Sequence, residues 1–129
     1  MHELSYATSM LNTILDTINN SDFKDENIKR VSKINLEIGE LTFINVEQLK
    51  FAFEVVSQST LCEGAEIEVE YIKPRVLCNN CGYEGDLDAK DEFDILCPKC
   101  QSLSLKIRGG KEFNIKNITL EFDEVDKDQ

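Results

Sequence analysis

Residues 78–100 read CNNCGYEGDLDAKDEFDILCPKC. Two C-x-x-C pairs, Cys78/Cys81 and Cys97/Cys100, bracket a gap of 15 residues. A C-x-x-C turn aims both sulfurs at one point, and two such turns close a tetrahedron of thiolates, the donor set of a structural zinc ion. Four thiolates also crowd negative charge that a borderline-soft dication offsets. Sulfur takes every tetrahedral position, so none is left for a water or a substrate. The pattern points to a metal that holds structure and away from metal catalysis. Residues 74–110 are therefore read as an inserted zinc-ribbon domain, bounded by Pro74 on one side and Gly109-Gly110 on the other.

Two rivals exist at these cysteines. Disulfides need an oxidising compartment, and the start MHELSYATSM has neither the basic residues nor the apolar stretch of a secretion signal. Iron is the second, because CNNCGY and CPKC resemble rubredoxin knuckles. Rubredoxins separate their knuckles by a much longer stretch, so the short gap favours zinc and leaves a rubredoxin-like electron carrier as an alternative. Cys62, in STLCEGAE, has no partner pair and reads as a buried or half-buried bystander.

Charge narrows the function classes. The 129 residues carry 25 acidic and 14 basic groups, a net charge of −11. A phosphate-binding surface needs clustered Lys and Arg, so a nucleic-acid-binding ribbon, the other alternative, is disfavoured. No apolar run approaches the ~20 residues needed to cross a bilayer. The expectation is a cytoplasmic protein with reduced thiols and no membrane or nucleic-acid partner.

Outside the ribbon the pattern alternates between helix and strand. Leu4, Ala7, Leu11, Ile14, Leu15 and Ile18 recur at helical spacing, and Asn19 to Asp22 end the run. VSKINLEIG then places Ile34, Leu36 and Ile38 on one strand face. Asn45 is placed to cap a second helix from Val46 to about Ser57, with Gln48 completing a capping box. Its inward face is Leu49, Ala52, Phe53 and Val56. AEIEVEYI follows as a strand with Ile67, Val69 and Tyr71 on one face. After the ribbon, KEFNIKNITLEFDE is a last strand whose apolar parity slips between Ile115 and Ile118, the mark of a bulge or of two short strands. The fold class is α+β: a small three-stranded mixed sheet with two helices, plus the ribbon. Residues 1–73, completed by the strand at 111–123, form the α/β domain, and 124–129 an acidic tail expected to be disordered.

The one histidine is His2. A histidine cation at a helix start opposes the macrodipole, but position two has a special chemistry. The terminal amine, the His2 amide nitrogen and the imidazole can chelate one ion through a five- and a six-membered ring. Such a nitrogen set prefers a square plane, which selects Ni(II) or Cu(II). The Glu3 amide or carboxylate can complete it.

MHELSYATSM, INLEIGELT, LKFAFEVVSQSTLCEGAEIEVE, the two C-x-x-C pairs and a closing I-x-x-I-x-L strand together resemble the HypA/HybF family of hydrogenase maturation proteins. The similarity runs from Met1 to about Phe122. The resemblance implies a nickel metallochaperone, not an enzyme, which would carry Ni(II) on Met1 (through its amine), His2 and Glu3, and structural Zn(II) on Cys78, Cys81, Cys97 and Cys100. It implies delivery of nickel to the [NiFe] hydrogenase large subunit together with the GTPase HypB, and in some organisms service to urease maturation. Some relatives place an aspartate near the metal where this chain has Asn45, whose amide offers no anionic oxygen; Glu40 of the IGE stretch is a further acidic group. With a single imidazole the expectation is moderate affinity and fast release.

Overall fold

The computed structural model describes residues 2–22, 27–89 and 93–123. In chain order the elements are α1 (His2–Asn19), β1 (Ile28–Gly39), a 3-10 turn (Glu40–Thr42), α2 (Val46–Val56), β2 (Glu66–Ile72), β3 (Arg75–Cys78), β4 (Glu84–Asp86), β5 (Leu105–Arg108) and β6 (Phe113–Phe122). They make two three-stranded sheets, ordered β2-β1-β6 and β4-β3-β5. The first is the mixed sheet expected from the sequence, and the second is the ribbon. The acidic tail lies outside the described residues.

The chain divides into two compact units, one of Met1–Asn35, Asn45–Glu68 and Ile115–Gln129, the other of Leu36–Ile44 and Val69–Asn114. In the first unit α1 packs on α2. Its period-3.6 stripe buries Ala7, Met10, Leu11, Ile14 and Ile18, and α2 contributes Leu49 and Phe53. Leu4, expected on that stripe, is exposed, because the first turn of α1 lies at the end of the packed face. The Ser21 hydroxyl donates to the Ile18 carbonyl at 2.6 Å and stops α1 where the polar cluster predicts.

Antiparallel pairing of β1 with β6 follows from contacts whose numbers run oppositely. Arg30 pairs with Glu121, the Ser32 hydroxyl donates to the Thr119 carbonyl, and Asn35 bonds Asn117. β6 is one continuous strand, not two, with Lys116 and Asn117 both exposed where the apolar parity slips. Between the bonds Asp123 N–H to Asn27 O and Gly39 N–H to Glu112 O, β1 uses one residue more than β6. That is the count of a bulge, and the buried set of β1 steps by three residues there, from Val31 to Ile34.

The second unit is organised around a small cluster of Leu41, Val76 and Leu87, against which Tyr83, Ala89, Ile95 and Leu105 pack. Leu41 comes from the 3-10 turn, well before the ribbon in sequence. β3 runs antiparallel to both neighbours, pairing Val76 with Gly85 and with Ile107. One sequence expectation is corrected here. Tyr71 is 56% exposed, because β2 is an outer strand and loses its cover towards its end. Leu103, 78% exposed, precedes β5 and turns outward; of Leu103, Leu105 and Ile107 only Leu105 reaches the cluster.

At the base of the ribbon two glycines touch. A methyl group on Gly39 would lie 2.1 Å from the Gly110 carbonyl, and one on Gly110 would meet Pro74 at 2.7 Å. Gly110 also needs its positive φ of 88°. The close approach is held by Gly39 N–H to Glu112 O and Leu41 N–H to Gly110 O, both 2.7 Å.

Candidate metal centre

The two cysteine turns are near copies of one another. β3 ends on Cys78, whose sulfur accepts the amides of Asn80 and Cys81, each at 3.4 Å. The Cys97 sulfur accepts the amides of Lys99 and Cys100, again at 3.4 Å. Gly82 N–H closes the first turn on Cys78 O at 3.0 Å, and Gln101 N–H the second on Cys97 O at 2.9 Å. Each turn exits through a left-handed residue: Gly82 at φ 79° and Gln101 at φ 64°. Glycine accepts that conformation freely, whereas a side chain is strained in it.

All four sulfurs lie within 4.8 Å of one another. Cys78 and Cys100 are 3.6 Å apart, Cys81 and Cys97 3.5 Å. Zinc–sulfur bonds of about 2.3 Å at tetrahedral angles need sulfur edges of about 3.8 Å, so the donor set fits such an ion. All are free thiols; Cys78 and Cys97 are buried, Cys100 half-buried and Cys81 exposed. Among the described residues this is the only group of three or more potential ligands so gathered.

Hydrogen bonding prepares the sulfurs unequally. The amide of Cys81, helped by that of Asn80, holds the Cys78 thiol below its ordinary range. The Asn80 side chain, ahead of the Ser102 amide, does the same for Cys100. At Cys97 burial pushes upward, but the amides of Cys100 and Lys99 outweigh it and the thiol is lowered. At Cys81 the Tyr83 amide pulls down, yet local desolvation of the sulfur and the other three sulfurs push the thiol up to about 12. A dication among the four removes that penalty, since each sulfur then faces positive charge as well as its neighbours.

Asn80 is a residue that the sequence reading missed. Its side-chain amide donates to the Cys100 sulfur at 3.6 Å and so ties the first turn to the second. The only available signal was a polar residue inside CNNC. Cys62 is fully buried, with its thiol pushed up to about 11 by desolvation, as fits a bystander.

Of the expected nickel ligands, Met1 lies outside the described residues, as does the side chain of His2, whose backbone opens α1. Glu3 sits in the first turn of α1, and its Oε2 accepts the Asn45 backbone N–H at 3.2 Å. The Asn45 side chain caps α2 as expected, accepting the Gln48 N–H at 3.0 Å. Glu40 is half-buried at the start of the 3-10 turn, beside a hollow of about 380 Å³ that Thr42, Phe43, Tyr71 and Ala89 also line.

A family model described as "Hydrogenase/urease nickel incorporation, metallochaperone, hypA" matches residues 1–120. The hydrogenase maturation factor HypA of Methanococcus aeolicus is 65% identical over 124 residues, covering 96% of this chain and all of the relative. That of Methanocaldococcus jannaschii is 60% identical with the same coverage. The solution structure of the Ni metallochaperone HypA from Helicobacter pylori superposes with a TM-score of 0.59 at 21% identity, covering 95% of this chain and all of that one. The fold is therefore shared well beyond the range of close sequence similarity.

Proposed function

This chain belongs to the HypA family of hydrogenase and urease nickel-incorporation metallochaperones, and from that premise we propose that it binds Ni(II) at its N-terminus and delivers it to [NiFe] hydrogenase. The ligands in this reading are the Met1 amine, the His2 imidazole and amide, and Glu3. Zn(II) at Cys78, Cys81, Cys97 and Cys100 is structural. The GTPase HypB and the hydrogenase large subunit are the partners, with urease maturation proteins as further clients, and the work is done in the cytoplasm. The observation that carries the reading is the family match beginning at residue 1, which takes in the Met-His-Glu start together with the four cysteines. No helix among the described residues is long and apolar enough to cross a membrane.

Binding and release follow from acid–base chemistry. Nickel displaces protons from the imidazole and, in a square plane, from the amide, so affinity rises with pH through the histidine range near ~6.5 and falls on acidification. With one imidazole in the chain, the ion is held firmly enough to carry and loosely enough to pass on. This is a carrier's task, in which the protein makes and breaks no covalent bond of a substrate.

Calorimetric nickel titration of the native chain against His2→Ala and against a chain extended ahead of Met1 tests the proposal. One site of moderate affinity in the native protein, lost in both variants, is expected. Equal stoichiometry and affinity in all three would remove the N-terminal site. Elemental analysis of colourless protein with zinc supports the structural assignment; a coloured iron protein would return the rubredoxin-like alternative.

A further inference from the structure

β3 alternates along its length, with Val76 and Cys78 buried on one face and Arg75 and Leu77 exposed on the other. Residues directly opposite one another across antiparallel strands share a face. Arg75 stands opposite Asp86 of β4 and Arg108 of β5, and Leu77 opposite Glu84 and Lys106. The outer face of the ribbon sheet therefore carries two rows, Asp86-Arg75-Arg108 and Glu84-Leu77-Lys106. Acid lies along β4 and base along β5. A hollow of about 260 Å³ opens over this face, lined by all of these residues except Asp86, together with Val76.

Folding alone does not ask for such a grid. Like charges directly opposite across a strand pair are destabilising, and Arg108 faces Arg75. Arg75 turns the other way, where its Nη1 donates to Asp86 Oδ1 at 3.1 Å. Among the described residues no acid pairs with Lys106 or Arg108. Two cations are thus left unopposed in a chain whose net charge is −11. Between them and the acids of β4 lies Leu77, 39% exposed. An apolar centre inside a charged rim is the anatomy of a contact surface.

We propose that this face docks a short acidic segment of a partner protein, with carboxylates over Lys106 and Arg108 and their aliphatic stems on Leu77. Glu84 and Asp86 select the partner as much as the cations do. A phosphodiester backbone crossing the sheet would meet those two carboxylates, whereas an acidic segment laid along β5 meets the cations and avoids them. Exposed charge pairs are individually weak, so docking is salt-sensitive and quickly reversed. The proposal stands apart from the nickel reading and needs no residue of α1.

The probe is the capped peptide Gly-Glu-Ala-Glu-Gly, whose two carboxylates have the spacing of Lys106 and Arg108. Its counterpart with Gln for Glu and a short oligothymidylate are the comparisons. Each is titrated to millimolar concentration into the full, metal-loaded chain at low salt and followed by amide resonances. The acidic peptide should shift Leu77, Lys106 and Arg108, with an affinity about threefold or more weaker at physiological salt. The double variant Lys106→Gln, Arg108→Gln should bind it about fivefold or more weakly with its metal content unchanged, since both side chains are exposed. Arg108→Gln alone should slow exchange of the β3 and β5 amides about twofold, because the repulsion with Arg75 goes. Absence of shifts, equal binding of the Gln peptide, or native affinity in the double variant overturns the proposal. So does exchange no slower in Arg108→Gln, which would show that the arginine pair costs the fold nothing. Oligothymidylate bound as tightly as the peptide would overturn it in favour of a nucleic-acid surface.

Discussion

The two units are held together by different means. In the first, two helices bury Met10, Ile14, Leu49 and Phe53 almost completely, and each such side chain contributes about 1.5–3 kcal/mol. In the second, the ribbon's own apolar cluster gathers Leu41, Val76 and Leu87 among the described residues, about 4.5–9 kcal/mol in all by the same measure. Its four sulfurs, within 4.8 Å of one another, fit an ion that can supply on the order of 10 kcal/mol of folding energy. The comparison teaches that apolar area and metal coordination are interchangeable ways of ordering a short chain, and that each unit depends on its own one.

Metal removal should have the largest effect. Chelation under reducing conditions, or Cys97→Ser, should abolish protection of the β3–β5 amides while the amides of α1 and α2 keep theirs. Simultaneous loss of both sets would show that the units do not stand on separate supports. The converse is smaller. Phe53→Ala should cost the helical unit about 3–5 kcal/mol in denaturant unfolding and leave the metal stoichiometry at the four cysteines unchanged; altered stoichiometry would tie the ribbon to the helical core. The smallest effect sharpens the likeness between the two cysteine turns. Gln101→Gly puts glycine where Gly82 already stands in the twin turn, and should stabilise the ribbon by about 0.5–1 kcal/mol, read as a raised melting temperature.

Much of this was legible in the sequence because the signals were local. Cysteine spacing marked the ribbon, helical periodicity placed α1 and α2, and Asn45 before Val46 marked a cap that the structure forms. What escaped was set by distant partners or by lengths too short to carry a period. β4 has three residues, Glu84–Asp86, too few for alternation to show. Leu41 belongs to the ribbon cluster although more than thirty positions separate it from Val76. Tyr71 and Leu103 fit an apolar alternation and yet face outward, because parity says which residues share a face but not whether anything covers it. The Glu3 carboxylate on Asn45 joins residues 42 apart and leaves no pattern in composition. The proposed nickel donors rest on the chelating position of His2 together with the family resemblance.

The touching glycines at the base of the ribbon have a mechanical consequence. Gly109-Gly110 looks in sequence like a swivel, the sort of place where two copies of a chain exchange a segment. Gly39 and Gly110 instead meet main chain to main chain, with Pro74 and Leu41 closed over them. Bare backbone has no rotamers with which to yield, so residues 36–44 and the ribbon's return strand behave as a weld. Any exchange of that strand between molecules has to break two short amide–carbonyl bonds first.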